Sequence, residues 1–323
     1  MRIAAIQLEP VLGDVEANLA ECERLADEAA AAGAKWIVLP EFFTTGVGFV
    51  PELAGAAVEP DGPATELLLD LARRHDAVVG GSFLCRDADG EARNAFYLAT
   101  PEGLAGRHDK DLPTMWENCF YVGGSDDGVL HAAGVDTGAS LCWEFMRTQT
   151  ARRLRGRVDL VVGGSCWWSI PPWPPAAMTR RMEDANARTA TGVAQAFARF
   201  VGAPVAHAAH SGPVECGMPW SPFRYRGWFE GGAIVCDAHG RVLAARHREE
   251  GAGIAVADVG PGRVEPDDEL PDRYWLHRRG AMAALLWNVQ RAHGRRWYRR
   301  HSRGMPALRI ERPPTSPAQA IHR

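Results

Sequence analysis

The chain has 323 residues, of which 46% are hydrophobic and 24% are charged, and its formal net charge at pH 7 is −4. These proportions supply enough apolar side chains for a substantial core, so they argue against a disordered chain. The acidic balance argues against nucleic acid as a partner. The lack of an apolar run of about 18 residues argues against a membrane span.

Strong apolar periodicity appears from the first residues onward. Before residue 111 it predicts strands at 3–8, 36–39, 77–84, 93–99 and 104–110, and helices at 14–32 and 63–75. Asp14 is the expected N-cap of the first helix, and Asp87-Ala-Asp-Gly90 is the expected hairpin turn.

The second half of the chain repeats this alternation. We expect strands at 135–141, 158–162, 205–209, 233–236, 242–246 and 253–259, and helices at 145–155, 176–200 and 272–293. Alternating strands and helices with some hairpins predict an α/β protein with mixed sheets. No change in composition marks a boundary before about residue 295, so we expect one domain at 1–294 and an Arg- and Pro-rich tail at 295–323.

Cysteine and lysine usage add two indications. Seven cysteines, an odd number, are scattered along the chain, and the first residues read as a strand and not as a signal peptide, which favours a reducing, cytoplasmic location. Of 36 basic residues only Lys35 and Lys110 are lysines. A lysine in such an Arg-rich chain is a hint of a position where a compact ammonium is needed.

Several well-known site motifs are absent from the sequence. It contains no phosphate loop, no dinucleotide-binding glycine turn, no Gly-x-Ser-x-Gly elbow and no Cys-x-x-Cys pair. His207 and His210 form a lone His-x-x-His, which is more typical of core or loop histidines than of metal ligands. We therefore expect neither a metal nor an organic cofactor.

Two segments place ionisable residues at strand ends, where α/β sheets build their sites. Glu41 directly follows the strand 36–39, so partial desolvation should raise the pKa of its carboxyl group towards values useful for proton transfer. Lys110 precedes a Pro-containing loop that ends at Glu117. The lysine could stabilise an oxyanion, with Glu117 orienting it or a water. Taken alone, Glu41 is more typical of a surface carboxylate at a loop start, whereas the Lys110–Glu117 segment is equally compatible with a solvated charge cluster.

A third segment delivers Cys142 from the strand 135–141 into an expected helix. The helix N-terminal amides would favour a thiolate, and the backbone N–H of Trp143 would point towards a developing oxyanion. A single cysteine is otherwise more often a small buried apolar residue.

Together the three segments resemble the Glu–Lys–Cys motifs of the nitrilase superfamily. The resemblance rests on Pro-Glu41-Phe, on Lys110 followed by Leu-Pro-Thr and Glu117, on Cys142-Trp-Glu, and on a late hairpin at 229–243. The family implies a four-layer α-β-β-α sandwich with two mixed sheets, and subunits that pair through helical faces into a homodimer or a higher homo-oligomer. It also implies a thiol mechanism without cofactors.

The resemblance implies roles for the matching residues. Glu41 would take the proton of Cys142 as sulfur attacks a nitrile or amide carbon, and Lys110 with the Trp143 amide would hold the resulting anion. Once ammonia has left, a thioester would remain on the cysteine. Water activated by Glu41 would then hydrolyse it. Acyl transfer to an amine, and a catalytically silent binding protein on the same scaffold, are the alternatives.

Within the superfamily, Cys-Trp-Glu and Lys-x-x-Pro-Thr-x-x-Glu look most like the nitrilase branch. Nitrilases usually carry Arg after the second Glu, where this chain has Asn118, and a Trp-Gly-x-Gly segment where it has Tyr121-Val-Gly-Gly124. Nitrile, amide and carbamoyl substrates therefore all stay open.

Two aromatic segments are secondary candidates. Trp167 and Trp168 lie in a Trp- and Pro-rich segment and could wall a pocket for an apolar substrate, or form a rigid connection. The basic, aromatic segment 295–303 is interpreted as a subunit-contacting or solvated tail, because the chain as a whole is acidic.

Overall fold

A computed structural model of the chain describes residues 1–218, 221–278 and 281–310, without the side chains of 281–284 and 286. The strands are β1 Arg2–Leu8, β2 Trp36–Val38, β3 Val78–Arg86, β4 Ala92–Thr100, β5 Gly103–Asp109, β6 Val129–Ala132, β7 Val135–Leu141, β8 Leu160–Ser165, β9 Val205–His210, β10 Pro213–Met218, β11 Ser221–Trp228, β12 Gly231–Cys236, β13 Val242–His247 and β14 Gly253–Asp258. The α-helices are α1 Val15–Ala31, α2 Pro63–His75, α3 Thr148–Leu154, α4 Ala176–Val201 and α5 Ala281–His301.

Backbone hydrogen bonds join twelve strands into one continuous mixed sheet, in the order β5-β4-β3-β2-β1-β9-β8-β7-β6, with β14 on β1, β12 on β9 and β13 on β12. The strands β10 and β11 form a separate antiparallel pair. The link between β1 and β9 is short, because only Gln7 and Leu8 pair with Ala209 and His210. The fold is therefore α/β with mixed strand directions, as the sequence predicts.

Three apolar clusters follow from the two-residue alternation along the strands. On β1, Ile3 and Ala5 belong to one cluster, whereas Ala4 and Ile6 belong to another that includes α1 and α2. On the other side of the link, Val162 of β8 joins the cluster of Ile3, whereas its neighbour Val161 joins a third cluster with α3 and α4. The strands β1 and β8 thus bury both faces.

Most predicted elements are confirmed, several to the residue. The helix Pro63–His75 and the strand Val135–Leu141 have the predicted bounds. The N-cap of α1 is Asp14, whose Oδ1 accepts a hydrogen bond from the Ala17 N–H at 3.0 Å. The sequence reasoning missed β6, β10 and β11.

The helix predicted at 272–293 is placed wrongly. The observed helix is Ala281–His301, because the segment before it pairs with another part of the chain: the Leu276 N–H donates to the Met146 carbonyl at 2.8 Å, and Trp275 forms a bridge with Arg147. The expected boundary between residues 294 and 295 therefore falls inside α5. The end of the expected tail, at 311–323, lies outside the described residues.

Across the described ranges, no helix combines the length and the apolar character that a bilayer crossing requires. All seven cysteines are free and buried.

The directions of the strands bring four chain segments to one edge. The strands β2, β7 and β8 run in the same direction through the parallel pairings with β1 and β9, and β5 is parallel to β2 through β3 and β4. Glu41 follows β2, Lys110 follows β5, Cys142 follows β7 and Cys166 follows β8. The carboxyl ends of these strands form the candidate site.

Candidate active site

Glu41 is fully buried and accepts three hydrogen bonds. Its Oε1 accepts from Lys110 Nζ at 2.7 Å and from Asn94 Nδ2 at 2.9 Å, and its Oε2 accepts from the backbone N–H of Cys166 at 3.0 Å. These donors come from three different strand ends or strands, so they fix the orientation of the carboxylate.

The backbone around Glu41 is also constrained. Phe42 has φ +55°, in the left-handed region that a non-glycine residue enters at a cost of about 1–3 kcal/mol. Burial lowers the pKa of His210 to about 4, so its ring is neutral and its Nε2 donates to the Glu41 carbonyl at 2.6 Å. The strained turn is thus held in place from β9, which is separated from β2 by β1.

Lys110 lies between two carboxylates. Its Nζ is 2.7 Å from Glu41 Oε1 and 2.7 Å from Glu117 Oε2, and all three side chains are fully buried. Glu117 lies in the 3₁₀ helix Met115–Cys119, where its Oε2 also accepts from the Thr114 N–H at 2.9 Å and from the Tyr121 hydroxyl at 2.5 Å. One ammonium therefore serves two acidic groups.

Cys142 is the first residue after β7, is 2% exposed and has φ +50°. Its sulfur and one carboxylate oxygen each of Glu41 and Glu117 lie within 4.8 Å of one another. The backbone N–H of Trp143 hydrogen-bonds the sulfur. The structure therefore brings the predicted residues Glu41, Lys110, Glu117 and Cys142 together in one buried cluster.

Two expectations about Cys142 are wrong. The segment Cys142–Met146 is a 3₁₀ turn and α3 begins only at Thr148, so the sulfur is not at the N-terminus of an α-helix. Burial, and then the charge of Glu41, raise the pKa of the Cys142 thiol well above its ordinary value, although Lys110 opposes them. The resting group is a thiol and needs a base.

Glu41 has the properties of that base. Burial raises the pKa of its carboxyl group to about 7; Lys110 lowers it, and the charge of Glu117 raises it again. The raised value confirms the expectation from its place after a buried strand. A base whose pKa is close to 7 is ionised at neutral pH in a substantial fraction of molecules, and it can then accept the proton of a nearby thiol.

The same cluster contains three groups of the kind that bind metal ions. Among the described residues, Glu41, Glu117 and Cys142 are the acidic and thiol groups whose ligand atoms converge. The Lys110 ammonium lies at 2.7 Å from both carboxylates, in the place that a cation would take. His207 is bonded as a core histidine. Its Nδ1 donates to the Gly232 carbonyl at 3.2 Å, and its Nε2 is hydrogen-bonded to Ser165 Oγ at 2.8 Å.

A second buried cluster lies beside the first and was missed by the sequence reasoning. Glu144 accepts from the Leu141 N–H at 2.9 Å, from the Asp111 N–H at 3.0 Å and from His108 Nε2 at 3.0 Å. The other ring nitrogen of His108 is 2.5 Å from Asp126 Oδ1. This cluster ties the residue before the cysteine to the residue after Lys110.

The two tryptophans predicted as pocket walls occupy different places. Trp167 belongs to the apolar cluster that contains Cys142, and its Nε1 donates to Asn186 Oδ1 at 2.9 Å. Trp168 packs against a different cluster, with its ring 4.6 Å from that of Trp116. Trp167 is therefore the better placed of the two to contact a substrate at the sulfur.

Three residues of the two clusters belong to no sequence motif and are identified as cluster members only by their contacts: Asn94, His108 and Asp126. Asn94 lies inside β4, where it looks like an ordinary strand residue, and Asp126 lies in a loop. His108 lies two residues before Lys110 in β5, and that proximity was the one available signal.

Comparison with known proteins identifies the family. The sequence profile described as carbon-nitrogen hydrolase matches residues 2–268. The chain belongs to the carbon-nitrogen hydrolase family. The resemblance to the nitrilase superfamily stated from the motifs is thereby confirmed.

Individual relatives of this carbon-nitrogen hydrolase include both nitrilases and amidases. An aliphatic nitrilase of Sinorhizobium fredii (strain HH103) is 34% identical over 172 residues, which cover 46% of this chain but only 55% of that protein. A 2-oxoglutaramate amidase of Bacillus subtilis (strain 168) is 25% identical over 264 residues, which cover 80% of this chain and 90% of that protein.

A solved structure shows the same fold. An amidase from Nesterenkonia sp. AN1, with acrylamide added to its active-site cysteine, superposes with a TM-score of 0.63 at 22% identity. The superposition covers 84% of this chain and 96% of the amidase. The α/β architecture of this chain is thus that of the nitrilase superfamily.

Proposed function

We propose that this enzyme hydrolyses a carbon–nitrogen bond, in a nitrile or a non-peptide amide, through a thioester on Cys142. The observation that carries the proposal is the convergence of the Cys142 sulfur with the carboxylates of Glu41 and Glu117 around the buried Lys110 ammonium. A nucleophile, a base and a fixed positive charge are the groups that this chemistry needs.

The proposed reaction begins with proton transfer from Cys142 to Glu41 as sulfur attacks the substrate carbon. The negative charge that develops on the substrate's oxygen or nitrogen is stabilised by Lys110 and by the Trp143 N–H. With an amide, Glu41 passes its proton to the departing nitrogen, which leaves as ammonia. With a nitrile, a first water molecule adds to the thioimidate carbon before the nitrogen leaves as ammonia, so two water molecules are consumed in all. Water, deprotonated by Glu41, then attacks the thioester and releases the acid and the thiol.

Glu117 is proposed to support Lys110 and to contact the substrate or water. Its Oε2 accepts all three of its hydrogen bonds, whereas its buried Oε1 has no hydrogen-bond partner among the described groups. That free acceptor can take an N–H of an amide or an O–H of the attacking water.

Amide substrates have one specific support. The match to the 2-oxoglutaramate amidase extends over 90% of that relative, whereas the match to the aliphatic nitrilase extends over 55% of it. Carbamoyl compounds and transfer of the acyl group to an amine are alternatives on the same thioester chemistry.

The arrangement of layers is also a proposal. We propose that the strands act as two six-stranded layers, β14-β1-β2-β3-β4-β5 and β6-β7-β8-β9-β12-β13, which touch through the short β1–β9 link. The apolar cluster of Ile3 and Val162 would lie between them, with α1 and α2 outside one layer and α3 and α4 outside the other. That is an α-β-β-α sandwich.

The expected single domain also stays a proposal, with its end moved from residue 294 to the end of α5. We further propose a homo-oligomer that pairs through helices, because Leu285 and Val289 of α5 are 58% and 53% exposed. Light scattering on the purified protein tests this.

Seven free thiols favour a reducing compartment such as the cytoplasm.

The test of the function is an ammonia-release screen over nitriles, aliphatic amides, ω-amides and carbamoyl compounds. We expect turnover with at least one class, and no turnover in the Cys142→Ala variant, which keeps the fold because the change removes a single buried sulfur. Turnover that survives in Cys142→Ala would refute the proposed nucleophile. Folded protein whose Cys142 is not labelled by a small electrophile would favour a silent binding protein.

A further inference from the structure

A row of arginines runs along one side of α5. Arg291, Arg295 and Arg299 follow one another at four-residue intervals, and Arg303 continues the spacing just beyond the helix end. Residues four apart lie on the same face of a helix, where like charges repel each other and destabilise it. The row therefore carries a structural cost that a bound anion would offset.

These arginines line a cavity of about 660 Å³. Its walls carry five guanidinium groups, those of Arg291, Arg295, Arg296, Arg299 and Arg303. Among the described residues, two carboxylates, those of Glu91 and Asp111, also line the cavity. The lining therefore has a formal excess of three positive charges.

Both carboxylates are already engaged. Asp111 forms a salt bridge with the buried Arg147, and Glu91 pairs with Arg303 at 2.8 Å and accepts from the Tyr298 hydroxyl at 2.7 Å. In the ranges that the structure describes, the other four arginines of the cavity form no ion pair. Their charge is thus left uncompensated around an open space.

The helical wall is firmly attached, so the cavity has a defined shape. The Tyr298 hydroxyl accepts from the Ala92 N–H at 2.8 Å, and Ser302 Oγ donates to the Cys119 carbonyl at 2.6 Å. Gly294 packs so closely that a Cβ added there would lie 2.6 Å from the Cβ of Asn118. The arginines upstream of Arg303 project from this fixed helix.

We infer that the cavity binds a small molecule that carries two or more phosphate groups. Guanidinium groups bind phosphate oxygens in pairs, and arginines four residues apart are separated by about 6 Å along the axis, so a ligand with charges spread over several ångströms can engage more than one. A single carboxylate engages one arginine. The volume admits a nucleotide-sized molecule and not a polymer.

The cavity is separate from the proposed catalytic cluster but shares a chain segment with it. Its opposite wall includes Leu112 and Pro113, which lie between Lys110 and Glu117. Ligand binding at the cavity can therefore alter the catalytic segment. The inference itself concerns binding and does not rest on the proposed reaction.

Calorimetric titration of the full chain with sodium pyrophosphate tests the inference, with sodium tripolyphosphate and sodium citrate in parallel. The test variant is Arg295→Gln/Arg299→Gln, and the matched control is Arg181→Gln/Arg188→Gln, which removes two exposed arginines of α4 outside the cavity. Thermal unfolding of each variant checks that it is folded; we expect the test variant to be at least as stable as the parent.

We expect saturable binding of pyrophosphate and tripolyphosphate at one site per chain. The test variant should weaken it by at least about tenfold, since each arginine supplies charge-assisted hydrogen bonds, and the control should leave it unchanged. The inference is overturned if neither compound binds saturably, if both variants weaken binding equally, or if citrate binds and the phosphates do not.

Discussion

Two buried glutamates, each next to a buried cation, behave in opposite ways. Glu41 accepts three hydrogen bonds, one of them from Lys110, and burial raises the pKa of its carboxyl group to about 7. Glu144 also accepts three hydrogen bonds, one of them from His108. Burial opposes ionisation there too, yet the charge and the hydrogen bond of His108 lower the pKa of Glu144.

Each cation is shared between two carboxylates, so the difference lies in the other charges that surround the two glutamates. Lys110 is shared between Glu41 and Glu117, whose charge raises the pKa of Glu41 further. Glu144 has His108 and, in addition, the charge of Arg147. The first cluster is arranged to exchange a proton near neutrality, and the second to stay ionised and hold two chain segments in place.

The largest expected effect is on the shared cation. We predict that Lys110→Arg lowers kcat/KM by at least about 10³-fold, because a planar guanidinium cannot take the position of an ammonium held at 2.7 Å between two carboxylates. Lys35→Arg is the matched control, since Lys35 is the other lysine and lies exposed beside Asp76. Near-normal turnover in Lys110→Arg would refute the need for a compact charge.

The second prediction separates the two glutamates by stability. Glu144→Gln should lower the free energy of unfolding by about 3–5 kcal/mol, since it leaves the buried His108 without its main counter-charge. Glu41→Gln should cost clearly less, because Lys110 keeps Glu117 as a counter-charge and the change also removes the repulsion between Glu41 and Glu117. Chemical denaturation of both variants measures this, and equal losses would contradict the comparison.

The smallest expected effect is a pH dependence of stability. Although burial lowers it, Glu144 and Asp126 raise the pKa of His108 from 6.5 to about 10. The stabilisation from the protonated ring is therefore complete below pH 6.5 and is lost as the pH rises through 10, by about 1 kcal/mol per pH unit.

Denaturation at several pH values measures the slope. Asp126→Asn removes one of the two charges that raise the pKa of His108, so in that variant the loss should end at lower pH and be smaller in total. His131→Asn, at an exposed histidine, should leave the slope unchanged. A slope that is the same in all three proteins would exclude His108 as its source.

The residues that the sequence predicts well are those that follow strand ends. Lys110 and Cys142 come directly after a strand and Glu41 comes three residues after one, and strand direction alone brings such positions to one edge of the sheet. Strands and helices themselves were predictable because their apolar residues repeat at regular intervals.

The supporting residues were not predictable for a physical reason. Asn94 and His108 lie within strands, and their partners are set by pairing register and by side-chain direction, which a single sequence does not specify. The position of α5 likewise depends on the pairing of Trp275 with Arg147, a contact between distant segments. The protonation state of Cys142 was not predictable either, because burial raises the pKa of its thiol by more than the charge of Lys110 lowers it.

The most direct test of the central claim is the rate of alkylation of Cys142 by iodoacetamide as a function of pH, in the parent protein and in Glu41→Gln, with the labelled peptide identified by mass spectrometry. The account predicts that the rate in the parent rises through pH 7, where Glu41 loses its proton, and that Glu41→Gln lacks this rise and reacts only at much higher pH. Superimposable profiles for the two proteins would contradict the account.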